Sequence, residues 1–533
     1  MNVAFDNWIP VVMPGGQRQL ASLCEVLTRG ERFADLAVRP HERVALMRLL
    51  LCVAHAALDG PKDYDEWCDV PSRLPAATRQ YLERWKDSFE LFHPEKPWLQ
   101  VATLAPIPSG NKKTSILDDE EWTSVNRLSL TRASGNNTTL FDHAAAGEMQ
   151  DWQPHELALD LLVFQNYFVA GGKASSRMWG KYEMKNPPNP KGGPCAGKSV
   201  VYTFLRGRDL AESVQLNLNS YETLALLYGS SPEWLGKPIW EWPVESPDSH
   251  NAIENATGTH LGRLVPQTRI LRLRKDGRKV LLGGGFTYPK FQDEKNPFHP
   301  DAQATVVLTS DGERELLRAR PGRSIWRELH CLTVRRRGSS TANRGPLCLE
   351  NIPDQASCDI VVCAMITNPK QAAEIVDLVD SVFHIPARLS SPEGAAAYKA
   401  EVKSAEQVAG RLSWAVEGYR AAIDGGWEGR LKSAGQSKGE LKAKLHSTAA
   451  IHYWTAVEKN LSLLMAHVAA LGTDDAGPTR DAWRKMLFAT ACDSYRAACG
   501  QETPRQIRAF AEGCKRLTNR NKATASVEKE DDA

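Results

Sequence analysis

The 533-residue sequence has no C-x-x-C pair, no long uninterrupted apolar run and no excess of either charge. Each absence excludes something. Its 11 cysteines are odd in number and scattered, so they read as reduced thiols, neither a disulfide framework nor a structural zinc site. Its 13 histidines form no H-E-x-x-H and no two-histidine-plus-carboxylate spacing, so no metal and no cofactor is expected. The most apolar stretch, Leu46 to Leu58, is broken by Arg48 and His55 and falls short of the roughly 20 residues that span a bilayer. The opening MNVAFDNWIPVVMPGGQRQL lacks a basic stretch followed by an apolar run and a small-residue cleavage site, so a cytoplasmic protein without a membrane partner is expected. With 66 Lys+Arg against 64 Asp+Glu the net charge is +2, and any surface for a polyanion has to be a local path. Gly 38 and Pro 31 are ordinary numbers, which excludes collagen-like repeats and a wholly disordered chain.

What is present is the composition of a folded protein, 42% hydrophobic and 24% charged, with length for about two to four domains. Trp8 to Val12 and the stretch from Gln19 read as strands about a Pro14-Gly15-Gly16 turn, the second passing into a helix. His41 to Leu58 has helical spacing and stops at Asp59-Gly60-Pro61; Ser72 to Phe89 and His155 to Phe168 are the next helices. Between Ala105 and Gly147 the chain is polar and small-residue-rich, as long exposed loops are. Ser199 to Arg206, Gly262 to Leu273, Lys279 to Leu282, Ala304 to Leu308 and Asp359 to Met365 read as strands. After Pro386 the period becomes helical: Gly394 to Ile423, Lys438 to Leu471, Thr479 to Ala498 and Pro504 to Leu517. The second of these carries Ile451, Trp454, Leu461, Leu464, Met465 and Val468 as an apolar stripe. The reading is an α+β chain: a large mixed α/β N-terminal domain over 1–388, a C-terminal four-helix bundle over 389–518, and a disordered tail over 519–533.

Two motifs mimic catalytic ones. Gly192 to Ser199 matches G-x-x-x-x-G-K-[ST] letter for letter, which keeps open a phosphate-loop nucleotide hydrolase using Lys198 and Ser199. Such a loop needs a strand before it and a helix N-terminus after it, whereas here a proline-rich run precedes and a strand follows. Gly435-Gln-Ser437-Lys-Gly439 matches G-x-S-x-G but lacks the apolar strand that must lead into the serine; it reads as a helix connection with Ser437 as an N-cap. Asp142-His143 is an adjacent pair in a polar loop without a nucleophile pattern beside it. Basic residues cluster at Arg269, Arg272 and Arg274 through Lys279, and again from Arg314 to Arg337. A strand with Leu271 and Leu273 inward would turn Arg272 and Arg274 outward, as a solvated face or a ridge for phosphates.

Several segments carry a resemblance across nearly the whole chain: Phe5-Asp-Asn-Trp-Ile-Pro10, Phe92-His-Pro-Glu-Lys-Pro-Trp-Leu-Gln100, Thr203-Phe-Leu-Arg-Gly207-Arg-Asp209-Leu, and His452-Tyr-Trp454 in the C-terminal helices. In order and spacing they resemble the CasA family, the large subunits of type I-E CRISPR Cascade surveillance complexes. The resemblance implies a non-catalytic subunit that reads the protospacer-adjacent motif in double-stranded DNA, helps open the duplex, and offers a docking surface to a recruited helicase-nuclease. It implies as partners the other Cascade subunits, the crRNA 5′ handle, target duplex and displaced strand. The family's glycine loop falls on Gly171, Gly172 and Lys173, its lysine finger on Lys290 and its glutamine wedge on Gln371, placed after the strand Asp359 to Met365 and before a helix. The attachment loop falls on Asn136, Asn137, Thr138 and Phe141, and Arg269, Arg272 and Arg274 would serve the nucleic-acid backbone. A purely structural subunit whose bundle joins partners is the remaining alternative.

Overall fold

The computed structural model describes residues 1–107, 121–130, 152–167, 176–184, 199–229, 232–247, 249–285, 301–309, 311–337, 343–368, 375–423 and 436–518. The predicted tail over 519–533 lies outside them. The chain divides into two compact units. The first comprises Met1–Ile325, Val334–Pro353 and Cys358–His384; the second comprises Trp326–Thr333, Asp354–Ser357 and Ile385–Ala533.

The first unit is organised around the helix Pro40–Leu58, in which sixteen of nineteen residues are buried. A helix apolar on all sides has no solvent face to give up, so it becomes the centre of a core. Pro40 supplies a preset first turn, the Glu42 carboxylate accepts the Arg39 backbone N–H at 2.7 Å, and Asp59 ends the helix in the left-handed region at φ 53°. Gly60 continues that turn at φ 61°, where a side chain would run into the ring of Tyr221. Truncating a central residue such as Leu50 to alanine costs about 2–5 kcal/mol.

The charges that break the apolar run face inward. Arg48, 0% exposed, donates from Nε to the Leu264 carbonyl at 3.1 Å, also donates to the Arg263 carbonyl, and pairs with Asp301 at 3.4 Å. His55 lies edge-on to His260 with ring centres 5.1 Å apart, and both are buried. Two segments of the family resemblance meet in the same core: Trp8 donates to the Val3 carbonyl at 2.7 Å and packs edge-on against Trp98 at 5.9 Å.

The unit also holds several small sheets. Ile9–Val12 lies between Arg18–Ala21 and Asp35–Leu36, antiparallel to both. Lys279–Gly285 lies between Thr123–Ser124 and Arg269–Leu273. Cys358–Thr367 pairs antiparallel with Tyr202–Arg206 and has Ile375–Ile385 as its other neighbour. The sequence reading needs correction at three places here. Gly262 to Leu273 is not one strand: His260–Leu264 is a helix capped by Thr259, and only Arg269–Leu273 pairs. The segment after Asn368 does not lead into a helix but into the strand Ile375–Ile385, whose Ile and Val residues are strand formers once a paired neighbour is available. A short helix, Tyr64–Cys68, precedes Val70–Arg84 and carried no periodic signal.

The second unit is helical: Pro392–Ile423, Gln436–Lys459, Leu461–Ala469, Ala476–Ala498 and Pro504–Thr518. The expected second helix is therefore two pieces broken at Asn460, whose side chain donates back to the Ala456 carbonyl at 2.8 Å. Its apolar stripe departs from expectation at one end. Ile451 is 68% exposed, while Ala449, Tyr453 and Val457, at spacing of four, face the core with Leu464 and Val468. Ser437 falls inside the Gln436–Lys459 helix rather than at its cap. The helices are tied by hydroxyl-to-carbonyl bonds: Tyr453 to Ala405 at 2.9 Å and Tyr495 to Phe510 at 3.0 Å. Close approach of Pro504–Thr518 to Pro392–Ile423 requires Gly513, where a Cβ would lie 2.5 Å from the Ala415 carbonyl oxygen. No helix among the described residues is long and apolar enough to cross a membrane.

Candidate nucleic-acid interface

The residues assigned to motif reading and attachment, Gly171, Gly172, Lys173, Lys290, Gln371, Asn136, Asn137, Thr138 and Phe141, lie outside the described residues, as do Asp142-His143 and Lys198. The structure describes the backbone stems that enter and leave these segments.

The segment with Gly171 to Lys173 leaves the helix Pro154–Asn166 and returns through the strand Arg177–Trp179. At its departure Gln165, 0% exposed, is a four-bond clamp: Nε2 donates to the carbonyls of Leu99 (3.0 Å) and Arg269 (2.9 Å), and Oε1 accepts the N–H groups of Thr268 (2.9 Å) and Arg269 (3.0 Å). At its return Arg177, 3% exposed, donates from Nε to the Leu282 carbonyl at 2.9 Å and pairs with Glu121 at 2.8 Å. Leu282 belongs to Lys279–Gly285, the strand that leads toward Lys290. Gly283 is bare because a Cβ there would meet Ile270 at 2.6 Å. Arg177 thus fixes the stems of the glycine-bearing and lysine-bearing segments to each other. Gln165 announces itself in the sequence as an amide inside the apolar run LLVFQNYF; Arg177 carries no such signal.

The segment with Gln371 connects two neighbouring strands of one sheet, Cys358–Thr367 and Ile375–Ile385. Its first end is held by Ser199, whose N–H donates to the Met365 carbonyl at 3.0 Å and whose hydroxyl accepts the Thr367 N–H at 3.2 Å. Ser199, the last residue of the phosphate-loop match, is at φ 56° and runs into the strand Tyr202–Arg206, so no helix N-terminus follows it. Tyr167, Val280, Met365 and Ile375, one from each of these stem regions, belong to the same core cluster.

The stem of the attachment segment is closed by Trp152, whose indole N–H donates to Asn126 Oδ1 at 2.9 Å. A cavity of about 590 Å³ opens beside this closure, lined among others by Trp8, Arg18, Glu42, Trp152, His155 and Asp380. Burial pushes the Glu42 carboxyl up, against the Arg39 backbone N–H and guanidinium that pull it down.

The arginine ridge is only partly as expected. Arg269 is 7% exposed and its guanidinium lies 5.9 Å from the centre of the Phe164 ring, so it belongs to the interior and not to a phosphate path. The cause is that Arg269–Leu273 is covered on both faces: Leu271 and Leu273 enter the main core, while Ile270 enters a second cluster with Leu104, Trp122 and Trp179. Arg272 is half-buried, and Arg274 donates to Asp276 at 2.8 Å, a bond that holds the Asp276 carboxyl below its usual value.

In the helical unit Ser413 Oγ lies 3.2 Å from His446 Nδ1, and His446 Nε2 lies 3.2 Å from Glu417 Oε2. This has the order of a hydrolytic triad without its setting, because Ser413 sits inside the Pro392–Ile423 helix, where backbone N–H groups are committed to the helix and cannot form an oxyanion hole.

Anchored stems on a mixed α/β unit, together with a separate helical unit, define a scaffold that presents several long segments from one core. The family model described as CRISPR-associated protein Cse1 matches residues 2–494, and the chain belongs to this family. It is 27% identical over 512 residues to the CRISPR-associated protein CasA/Cse1 of Thermus thermophilus, covering 93% of this chain and 92% of that protein. Its fold matches the crystal structure of Thermobifida fusca Cse1 with a TM-score of 0.72 at 21% identity, over 97% of this chain and 98% of the other. It also matches a chain of a CRISPR RNA-guided surveillance complex with a TM-score of 0.68 at 18% identity, over 97% and 99% of the two chains.

Proposed function

We propose that the chain is the large subunit of a type I-E Cascade surveillance complex, reading the protospacer-adjacent motif in double-stranded DNA and starting its unwinding without chemistry of its own. Gly171, Gly172 and Lys173 bring backbone and a cation to the minor groove, Lys290 reaches its acceptors, and Gln371 inserts beneath the last motif pair. Asn136, Asn137, Thr138 and Phe141 fasten the subunit at the crRNA 5′ handle and neighbouring subunits, and guide pairing then reads the sequence. The opened complex recruits a helicase-nuclease, in the cytoplasm. The domain assignment follows: motif reading and attachment by residues 1–388, followed by the four-helix bundle over 389–518.

The observation that carries this reading is the bond from Arg177 Nε to the Leu282 carbonyl at 2.9 Å, which joins the stems of the two motif-reading segments. A groove reader has to hold its contacts in fixed register, and rigid stems supply that at the base of long segments. Family membership supports the same assignment.

The test is reconstitution of the guide complex with wild-type or Lys290→Ala/Gln371→Ala protein, scored on matched duplexes with varied flanking motifs and on a target melted at the motif. Loss of duplex binding with recovery on the melted target is expected. Unchanged duplex binding and motif preference would overturn the assignment in favour of a scaffold.

A further inference from the structure

Among the described residues, one group of metal-type donors belongs to the helical unit. In the segment Trp326–Thr333 of the helical unit, a 3-10 turn over Ile325–Glu328 runs directly into the helix Leu329–Leu332. That tight winding gathers Glu328, His330 and Cys331, so that a carboxylate oxygen, an imidazole nitrogen and a sulfur all lie within 4.8 Å of one another. Cys331 is 6% exposed, and the other two residues are half-buried.

The backbone under these donors is fixed at both ends. Upstream, the Tyr398 hydroxyl donates to the Trp326 carbonyl at 2.7 Å, and Trp326 is buried against Trp454 with ring centres 6.1 Å apart. Arg327, the cation closest in sequence, is drawn onto the Trp454 ring at 4.2 Å and pairs with Glu406, Nε to Oε1 at 3.2 Å. Downstream, the Thr333 hydroxyl reaches the carbonyls of Leu329 (2.8 Å) and Leu389 (3.4 Å). A ligand set on such a segment needs little further ordering when it binds.

We propose that Glu328, His330 and Cys331 bind one zinc ion, with water in the fourth position. A thiolate, an imidazole and a carboxylate together suit zinc, whereas magnesium and calcium take oxygen ligands. Zinc–ligand bonds of about 2.0–2.3 Å in a tetrahedron put donors roughly 3.3–3.8 Å apart, so these side chains need to close by no more than about 1–1.5 Å, within the reach of side-chain rotation. The Cys331 thiol gives its proton to solvent as the Zn–S bond forms, neutral His330 and ionised Glu328 supply the other two bonds, and aquo ligands leave the ion. The ion then clamps the 3-10 turn to the helix that follows it. The sequence hides the site because E-x-H-C has no zinc-finger spacing and because the donors come together only where the 3-10 turn carrying Glu328 runs into the short helix carrying His330 and Cys331.

The measurement is titration of chelator-treated full-length protein with Co²⁺ as the probe. One equivalent is expected to give a thiolate-to-cobalt charge-transfer band and the strong visible absorption of a tetrahedral site, both bleached by Zn²⁺. Cys331→Ser abolishes the charge-transfer band, His330→Gln and Glu328→Gln each weaken Co²⁺ binding at least about tenfold, and Cys68→Ser, at an exposed cysteine elsewhere, changes nothing. Circular dichroism confirms that each variant is folded; should Cys331→Ser misfold, the two other variants decide. No charge-transfer band in the wild type, a band undiminished in folded Cys331→Ser, or unchanged affinity in both His330→Gln and Glu328→Gln would overturn the proposal.

Discussion

The two units use buried polar groups for different purposes. In the mixed unit they serve backbone that no secondary structure satisfies: Arg48 takes the carbonyls of Leu264 and Arg263, Gln165 those of Leu99 and Arg269, and Arg177 that of Leu282. In the helical unit the backbone satisfies itself, and polar side chains are staples between finished helices. Glu401, nearly fully buried, takes Arg480 at 2.7 Å and Arg484 at 2.7 Å, and tyrosine hydroxyls reach single carbonyls. Irregular backbone inside a protein has to be paired with something, so a fold of many short strands and turns recruits long side chains into its core. In the helical unit the buried long side chains Glu401 and Arg420 pair with other side chains instead.

The largest expected effect comes from removing Arg48. Arg48→Met strands two buried carbonyls and the carboxylate of Asp301, which is 7% exposed, and is expected to cost about 3–5 kcal/mol in urea unfolding. A loss under about 1 kcal/mol would show that water or neighbouring groups take over those partners.

Acid is the next way to separate the units. Burial holds the His41 and His260 imidazoles down to about 3, and burial with His260 beside it holds His55 well below its ordinary 6.5. These groups are neutral when folded, so unfolding takes up protons below their unfolded value. Their contribution is complete above about pH 6.5 and is lost as pH falls toward 3, at up to about 1.4 kcal/mol per pH unit for each histidine. In the helical unit burial alone would raise the Glu401 carboxyl, but Arg484 and Arg480 outweigh it and hold it below 4.5, so its contribution persists above that value and is lost as pH falls through the folded one. Hydrogen exchange read by mass spectrometry at pH 7 and pH 5 should show Pro40–Leu58 losing protection before Pro392–Ile423. The reverse order would remove the histidines from the comparison.

The smallest effect is expected where a hydroxyl only staples. Tyr453→Phe keeps the ring and leaves the Ala405 carbonyl inside a helix, so the loss in urea unfolding should be about 0.5–1.5 kcal/mol. A cost as large as that of Arg48→Met would erase the distinction between the units.

How far the sequence could be read follows the same line. The helix Pro40–Leu58, the stop at Asp59-Gly60 and the helical character after Pro386 were legible because period, capping and breakers act within a few residues. The reading failed where the partner was distant. Ile375–Ile385 is a strand because Cys358–Thr367 lies beside it, and Arg269 is interior because its strand is covered twice. Of the site, the family motifs were legible, yet Trp8 and Trp98 pack against each other in the core, and the clamps Gln165 and Arg177 are recognisable only from the carbonyls they reach.

By itself, then, the sequence determined where helices start and stop, which stretch is apolar enough to be the centre of a core, and which family the chain resembles, because those are properties of residues near one another. The tertiary structure alone decided the phase of the helix that exposes Ile451, the pairing that turns 375–385 into a strand, and the membership of Trp326–Thr333 in the helical unit. Each of these depends on which distant surface covers a face or satisfies a carbonyl, and burial is a property of that contact, which no local pattern encodes.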